Sequence, residues 1–186
     1  MDKHRPIVEE YEINSSTMIV VPTTYGGETY SLILELEDEF ISPFRPIEII
    51  KNSCHYFGAS YEGRKEGTRQ LIGITHKVPI TIDPTNFIYF FPTTSPSNSQ
   101  CIWVSHEHVL NHHRHEANQT IVTFRNKQTY ILPISNHSFE NQLLRTALLR
   151  TKLMQRIEQT NRRSFYLVKK PTMRASEQSN VYKNPN

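Results

Sequence analysis

Gly58 to Lys65 spells GxxxxGRK, one step from the loop that cradles nucleotide phosphates. Arg64 stands where that loop needs lysine, and Lys65 stands where a Ser or Thr hydroxyl must hold magnesium, so nucleotide hydrolysis is set aside. The physical content survives: glycines that let the backbone approach something closely, and Arg64, Lys65 and Arg69 beside Tyr56, Phe57 and Tyr61. Basic groups interleaved with aromatics suit a nucleic-acid backbone or groove. The plainer alternative is an exposed loop whose aromatics belong to the core.

Two other clusters invite chemistry and are read as bland. His106 to His115 holds five histidines, but His106-Glu107 lacks the histidine four residues on that a zinc-protease helix requires. An exposed histidine-rich loop that changes charge near pH ~6.5 is expected, with neither a metal nor a cofactor. Cys54 and His55 are sequence neighbours, a poor geometry for a nucleophile and its base. With Cys101 they make neither a CxxC pair nor a disulfide framework, which points to a reduced, cytosolic protein and not to an enzyme.

The element that carries the second basic cluster is the clearest in the chain. From about Phe139 to Gln159 the sequence lacks Gly and Pro, and Ser138 is the expected cap. At 100° per residue Leu143, Leu144, Ala147, Met154 and Ile157 fall on one broad face, while Arg145, Lys152 and Arg156 gather nearly opposite. Arg150 lies among the apolar residues, so it must snorkel, pair with a carboxylate or reach a partner. No acid lies between Glu140 and Glu158, so the helix lacks the Glu to Lys pairs that usually accompany such a stripe. An ordinary solvated face is the alternative.

Charge is sorted along the chain. Residues 1–50 carry ten Asp/Glu and three Lys/Arg; of the 18 acids and 21 bases in the whole chain that leaves eight and eighteen beyond, so the halves stand at −7 and +10 behind a net +3. Positive charge of that density calls for a polyanion, a membrane surface or solvent. The N-terminus is charged and no apolar run approaches the ~20 residues needed to span a bilayer, so a membrane is not the partner.

With 186 residues, 37% hydrophobic, and a mean hydropathy of −0.55, one folded domain with a polar surface is expected. Thr17 to Val21 and Tyr30 to Leu36, around Gly26-Gly27, read as an opening hairpin. Further strands are expected at Pro46 to Ile50, Leu71 to Thr75, Val78 to Ile82, Phe87 to Phe91, Ile102 to Val104, Thr120 to Phe124 and Thr129 to Leu132. Ser53 to Thr68 reads as a loop or the entry to a helix. The class is α+β: mainly antiparallel strands, then one long C-terminal amphipathic helix and a flexible tail. Residues 1–163 form the folded domain and 164–186 the tail, with its short apolar motif Phe165-Tyr166-Leu167-Val168-Lys169.

Several stretches together resemble a known family. They are Ser53-Cys54-His55-Tyr56-Phe57-Gly58 through Gly63-Arg64-Lys65-Glu66-Gly67-Thr68, His76-Lys77 before Asp83-Pro84, Ser105-His106 after Trp103, and Ser138-Phe139-Glu140-Asn141-Gln142 leading to Leu149-Arg150-Thr151-Lys152. In the same order, from about Tyr11 to Ile157, they resemble ComK, the competence transcription factor family of Bacillus-type bacteria. The resemblance implies a sequence-specific activator that recognises paired A-rich and T-rich boxes on double-stranded DNA through the minor groove. It implies dimers, pairs of dimers on the promoter, work alongside RNA polymerase, a cytoplasmic and nucleoid-associated location, and control by a MecA-type adaptor of the Clp machine. The basic residues of the two matched stretches, with their neighbours, are the candidate DNA contacts: Arg64, Lys65, Arg69, Lys77, Arg145, Arg150, Lys152 and Arg156. The apolar cluster Phe165 to Lys169 looks like the adaptor-binding motif. The rival expectation is a paralogue without DNA binding that only engages the adaptor.

Overall fold

The computed structural model describes residues 5–169. Of these, residues 5–153 make one compact unit, and a second begins at Met154. The first is built on a six-stranded antiparallel sheet whose spatial order is β3-β2-β1-β6-β5-β4. Its strands are β1 (Thr17–Tyr25), β2 (Glu28–Glu35), β3 (Glu39–Ser42), β4 (Ile80–Asp83), β5 (Ile88–Pro92) and β6 (Trp103–Ser105). A three-stranded antiparallel sheet follows, made of β7 (Val109–Glu116), β8 (Gln119–Phe124) and β9 (Thr129–Leu132). The helices are α1 (Pro46–Tyr56), α2 (Tyr61–Ile72) and α3 (Asn136–Lys169).

The large sheet is covered on both faces, which explains why its strands read as apolar runs more than as clean alternation. On one face Val20, Ile33, Ile80, Ile82, Phe90 and Trp103 pack with Ile49, Ile50 and Cys54 of α1 and Tyr61 of α2. On the other, Ile19, Val21, Phe91 and Val104 meet Val122 and Phe124 of β8, Leu132 of β9 and Phe139 of α3. The α+β class, antiparallel sheets followed by a long C-terminal helix, is as expected.

Several local expectations are corrected. Pro46 to Ile50 opens α1 instead of forming a strand. Pro46 sits in the first turn, where its missing N–H costs nothing, and the Glu48 carboxylate accepts from the Arg45 amide at 2.8 Å. These start signals outweigh three isoleucines. Ser53 to Thr68 is the end of α1 and most of α2, and Leu71 to Thr75 finishes α2 and its exit, not a strand. The histidine-rich stretch is largely an edge strand, β7, and not a loop; Asn111 to Arg114 pair with Thr123 to Thr120 of β8.

The α3 helix begins earlier and runs further than expected. Ser135, not Ser138, supplies the cap, its hydroxyl accepting from the Ser138 amide at 3.3 Å. The helix continues past Gln159 and Arg163 to Lys169, so the apolar motif is helical from Phe165 onward. Of the tail expected at 164–186, residues 164–169 belong to this helix and residues 170–186 lie outside the described residues.

The packing face of α3 is also shifted from the apolar arc. Phe139, Gln142, Thr146 and Leu149 are buried, whereas Leu144 is 68% exposed. Two polar side chains hold buried positions because their bonds are satisfied: Thr146 Oγ1 donates to the Gln142 carbonyl at 2.7 Å, and Gln142 Nε2 donates to the Pro92 carbonyl at 2.6 Å. Hydrophobicity alone placed the face too far towards Leu144.

Candidate nucleic-acid interface

The α2 helix presents the first set of cations. Ser60 caps it, with its hydroxyl accepting from the Gly63 amide at 3.0 Å. A Cβ on Gly63 would lie 2.9 Å from that hydroxyl, so the close approach for which this glycine is needed is to its own cap. Lys65 and Arg69 lie one turn apart and are half-buried, Lys65 over the Tyr61 ring and Arg69 donating to the Thr75 carbonyl at 3.4 Å. Arg64 points elsewhere: its guanidinium reaches the Ile82 carbonyl at 3.4 Å, and it lines a separate cleft of about 120 Å³ with Thr68, Leu71 and Leu153. Of the aromatics singled out with them, Tyr61 is core, Phe57 packs against it and Tyr56 is exposed.

Lys65 and Arg69 line a cleft of about 240 Å³ with Thr75, His76, Lys77, Ser95 and Ser97. A neighbouring cleft of about 230 Å³ is lined by His76, Lys77, Ser138, Asn141, Gln142 and Arg145. His76 and Lys77 are common to both. Cations from α2, from the turn before β4 and from α3 thus border adjoining cavities, although 60 or more residues separate the last from the others in sequence.

Local neutralisation is weak. Glu62 and Glu66 pair with Lys65 and Arg69 at 3.3 and 3.6 Å, but both glutamates are mostly exposed. Such exposed pairs contribute about 0–1 kcal/mol and exchange readily for a phosphate. Lys77 and Arg145 have no carboxylate partner among the described residues. Arg145 instead donates to the Gln142 Oε1 at 3.4 Å.

The remaining candidates are placed differently. Arg150 resolves its options by pairing with the Glu107 carboxylate and stacking on the Phe87 ring, 4.9 Å from its centroid. Its Ala variant should lower stability by about 1–2 kcal/mol, since the pair is only partly buried, and leave the salt dependence of DNA binding unchanged. A urea melt beside a salt titration checks both. Lys152 donates to the Leu71 carbonyl at 3.1 Å, completing the last turn of α2. Arg156 is exposed on the α3 helix, in the second unit. Phe165, Tyr166 and Leu167 are likewise exposed.

The site missed in sequence comprised Gln142, His76 and the Ser95 to Ser97 wall, none of which carries a spacing signal. The groups first suspected of chemistry are quiet. Burial pushes the thiols of Cys54 and Cys101 up to about 11, far from a reactive thiolate. Burial also lowers the pKa of His106 and His108, the second of which holds the Ser15 carbonyl at 2.8 Å. Among the described residues no three His, Cys, Asp or Glu are grouped to hold a metal, and no helix is long and apolar enough to cross a membrane.

An α+β body with a basic cleft assembled from three elements fits a regulator that meets a polyanion. Comparison with known proteins narrows this. The model of the ComK protein family matches residues 8–158. A curated relative, the competence transcription factor of Bacillus subtilis (strain 168), is 46% identical over 151 residues, 81% of this chain and 79% of the relative. The chain belongs to the ComK family, and so to competence transcription regulators, which are not an enzyme class. No solved structure matches it.

Proposed function

We propose that this chain is a DNA-binding activator of competence genes that grips AT-rich double-stranded DNA through the basic clefts. The carrying observation is that Lys65, Arg69, Lys77 and Arg145, from three separate elements, border two clefts sharing His76 and Lys77. Lysine ammonium and arginine forks hold phosphates and so fix register and orientation. Sequence preference then comes from groove width and deformability, with a narrow A-tract minor groove concentrating the negative potential that attracts such side chains.

Lys152 and Arg156 are further candidate contacts along α3. Pairs of A-rich and T-rich boxes would be met by a dimer, and by two dimers on one promoter, beside RNA polymerase on the nucleoid. Residues 164–186 would serve control: the exposed Phe165, Tyr166 and Leu167, continuing into Val168 and Lys169, suit engagement by a MecA-type Clp adaptor.

Binding to paired-box AT-rich duplexes and to GC-rich duplexes of equal length tests the reading. The expected result is a preference of at least about tenfold for the AT-rich set at ~150 mM salt, with log affinity falling steeply against log salt. Equal, negligible binding to both, with adaptor capture intact, would leave the non-DNA-binding paralogue.

A further inference from the structure

Among the described residues three non-glycines adopt left-handed backbone: Lys77 at φ 48°, Phe87 at φ 55° and Lys127 at φ 70°. Lys127 sits in the hairpin between β8 and β9, and the Phe87 ring is the platform under Arg150. Lys77 has neither excuse. A side chain is unfavourable at such a φ, and glycine would sit there without strain. A lysine kept in that conformation indicates that its ammonium is wanted at that spot, and the spot is the junction of the two basic clefts.

The turn is held by one buried side chain. Gln142 is 2% exposed, and its Nε2 donates to the Lys77 carbonyl at 3.1 Å and to the Pro92 carbonyl at 2.6 Å. Its Oε1 accepts from Arg145 at 3.4 Å. Both amide hydrogens and the oxygen are therefore used, tying the Lys77 turn and the Arg145 fork, which line the clefts, to the end of β5 in the large sheet. No other residue type offers two donors and an acceptor at that reach without bringing a charge into the interior.

We infer that Lys77 is the central phosphate contact of the interface and that Gln142 is its positioning residue, coupling Lys77 to Arg145. This rests on the DNA-binding reading above. Binding to DNA then draws on a conformation already formed, so the ordering cost is met during folding.

The test is a double-mutant cycle on the full chain with an AT-rich paired-box duplex, using Lys77→Gly, Gln142→Met and the double variant, with wild type and Lys65→Ala alongside. Lys77→Gly should melt within ~2 °C of wild type or above it, because strain relief offsets the added freedom of the unfolded chain. It should nevertheless bind about tenfold more weakly, with a salt slope lower by about 0.9. Gln142→Met should weaken binding about tenfold on its own and clearly less in the Lys77→Gly background, where only the Arg145 bond is left to lose, whereas a merely structural role gives the same loss in both. Should Gln142→Met not fold, Gln142→Asn, too short to reach both carbonyls, takes its place in the cycle. If wild type binds and Lys65→Ala weakens it while Lys77→Gly does not, or if the cycle is additive, this inference fails and the DNA reading stands. If wild type does not bind, the DNA reading itself fails.

Discussion

Changing Lys65, Arg69, Lys77 and Arg145 together to Ala should lower affinity for an AT-rich duplex by about a thousandfold or more at ~50 mM salt. The slope of log affinity against log salt should flatten by about 3 to 4 units, close to 0.9 for each phosphate that is no longer neutralised. Stability should fall by only about 1–3 kcal/mol, because the buried Gln142 Oε1 loses Arg145 and the Thr75 carbonyl loses Arg69. Among the described residues the only carboxylates set free are the exposed Glu62 and Glu66, and exposed pairs of that kind contribute about 0–1 kcal/mol. A salt titration by fluorescence anisotropy, with a thermal melt of the same preparations, reads both quantities. Steep salt dependence persisting in the fourfold variant would place the phosphate-binding face on another surface.

The second large effect is structural and reaches the interface through α3. Phe139 is fully buried in the first turns of that helix, with its ring 5.6 Å from Phe91 of the large sheet and 5.1 Å from His112 of the small one. It is the side chain by which α3 is seated against both sheets. Phe139→Ala should cost about 3–5 kcal/mol of stability, seen as a lower urea midpoint with an unchanged m-value. At about 2–4 °C per kcal/mol for a chain of this size, the melting temperature should drop on the order of 10 °C. Phe139→Leu should cost less than half of that, because most of the volume stays filled. A loss below ~1 kcal/mol for the Ala variant would mean that the helix is seated by other side chains.

How much of this was legible in the sequence depends on whether the deciding force was local. The hairpin around Gly26-Gly27, most of the later strands and the long helix announce themselves through turn chemistry, β-branched runs and the absence of helix breakers, whereas Leu71 to Thr75 and β7 do not. Pro46 to Ile50 misled because its isoleucines speak for a strand while the Pro46 and Glu48 start signals speak more quietly for α1. The packing face of α3 was misplaced because two of its buried positions hold Gln142 and Thr146, whose fitness rests on carbonyls, in the case of Gln142 as far away as Lys77 and Pro92. No periodicity of apolar residues can register that.

The candidate site divides in the same way. Residue type and the family resemblance marked out Lys65, Arg69, Lys77 and Arg145 alongside Arg64, Lys152 and Arg156, and left Arg150 to snorkel, pair with a carboxylate or reach a partner; Glu107 pairs with it. What sequence could not separate was Arg64 from Lys65. Adjacent on a helix, they stand about 100° apart, which directs one towards the Ile82 carbonyl and the other to the cleft it shares with Arg69 and Lys77. The role of Gln142 was invisible for the same reason: its three bonds reach different parts of the fold.

The most direct test of the basic clefts as the DNA face is an amide NMR titration of the labelled protein with a short AT-rich duplex. The largest shifts should fall at Lys65, Arg69, His76, Lys77 and Arg145, with His113 to Glu116 and Arg150 nearly still. Shifts centred on β7 or on the acidic β2 and β3 edge, with those five residues unmoved, would contradict it.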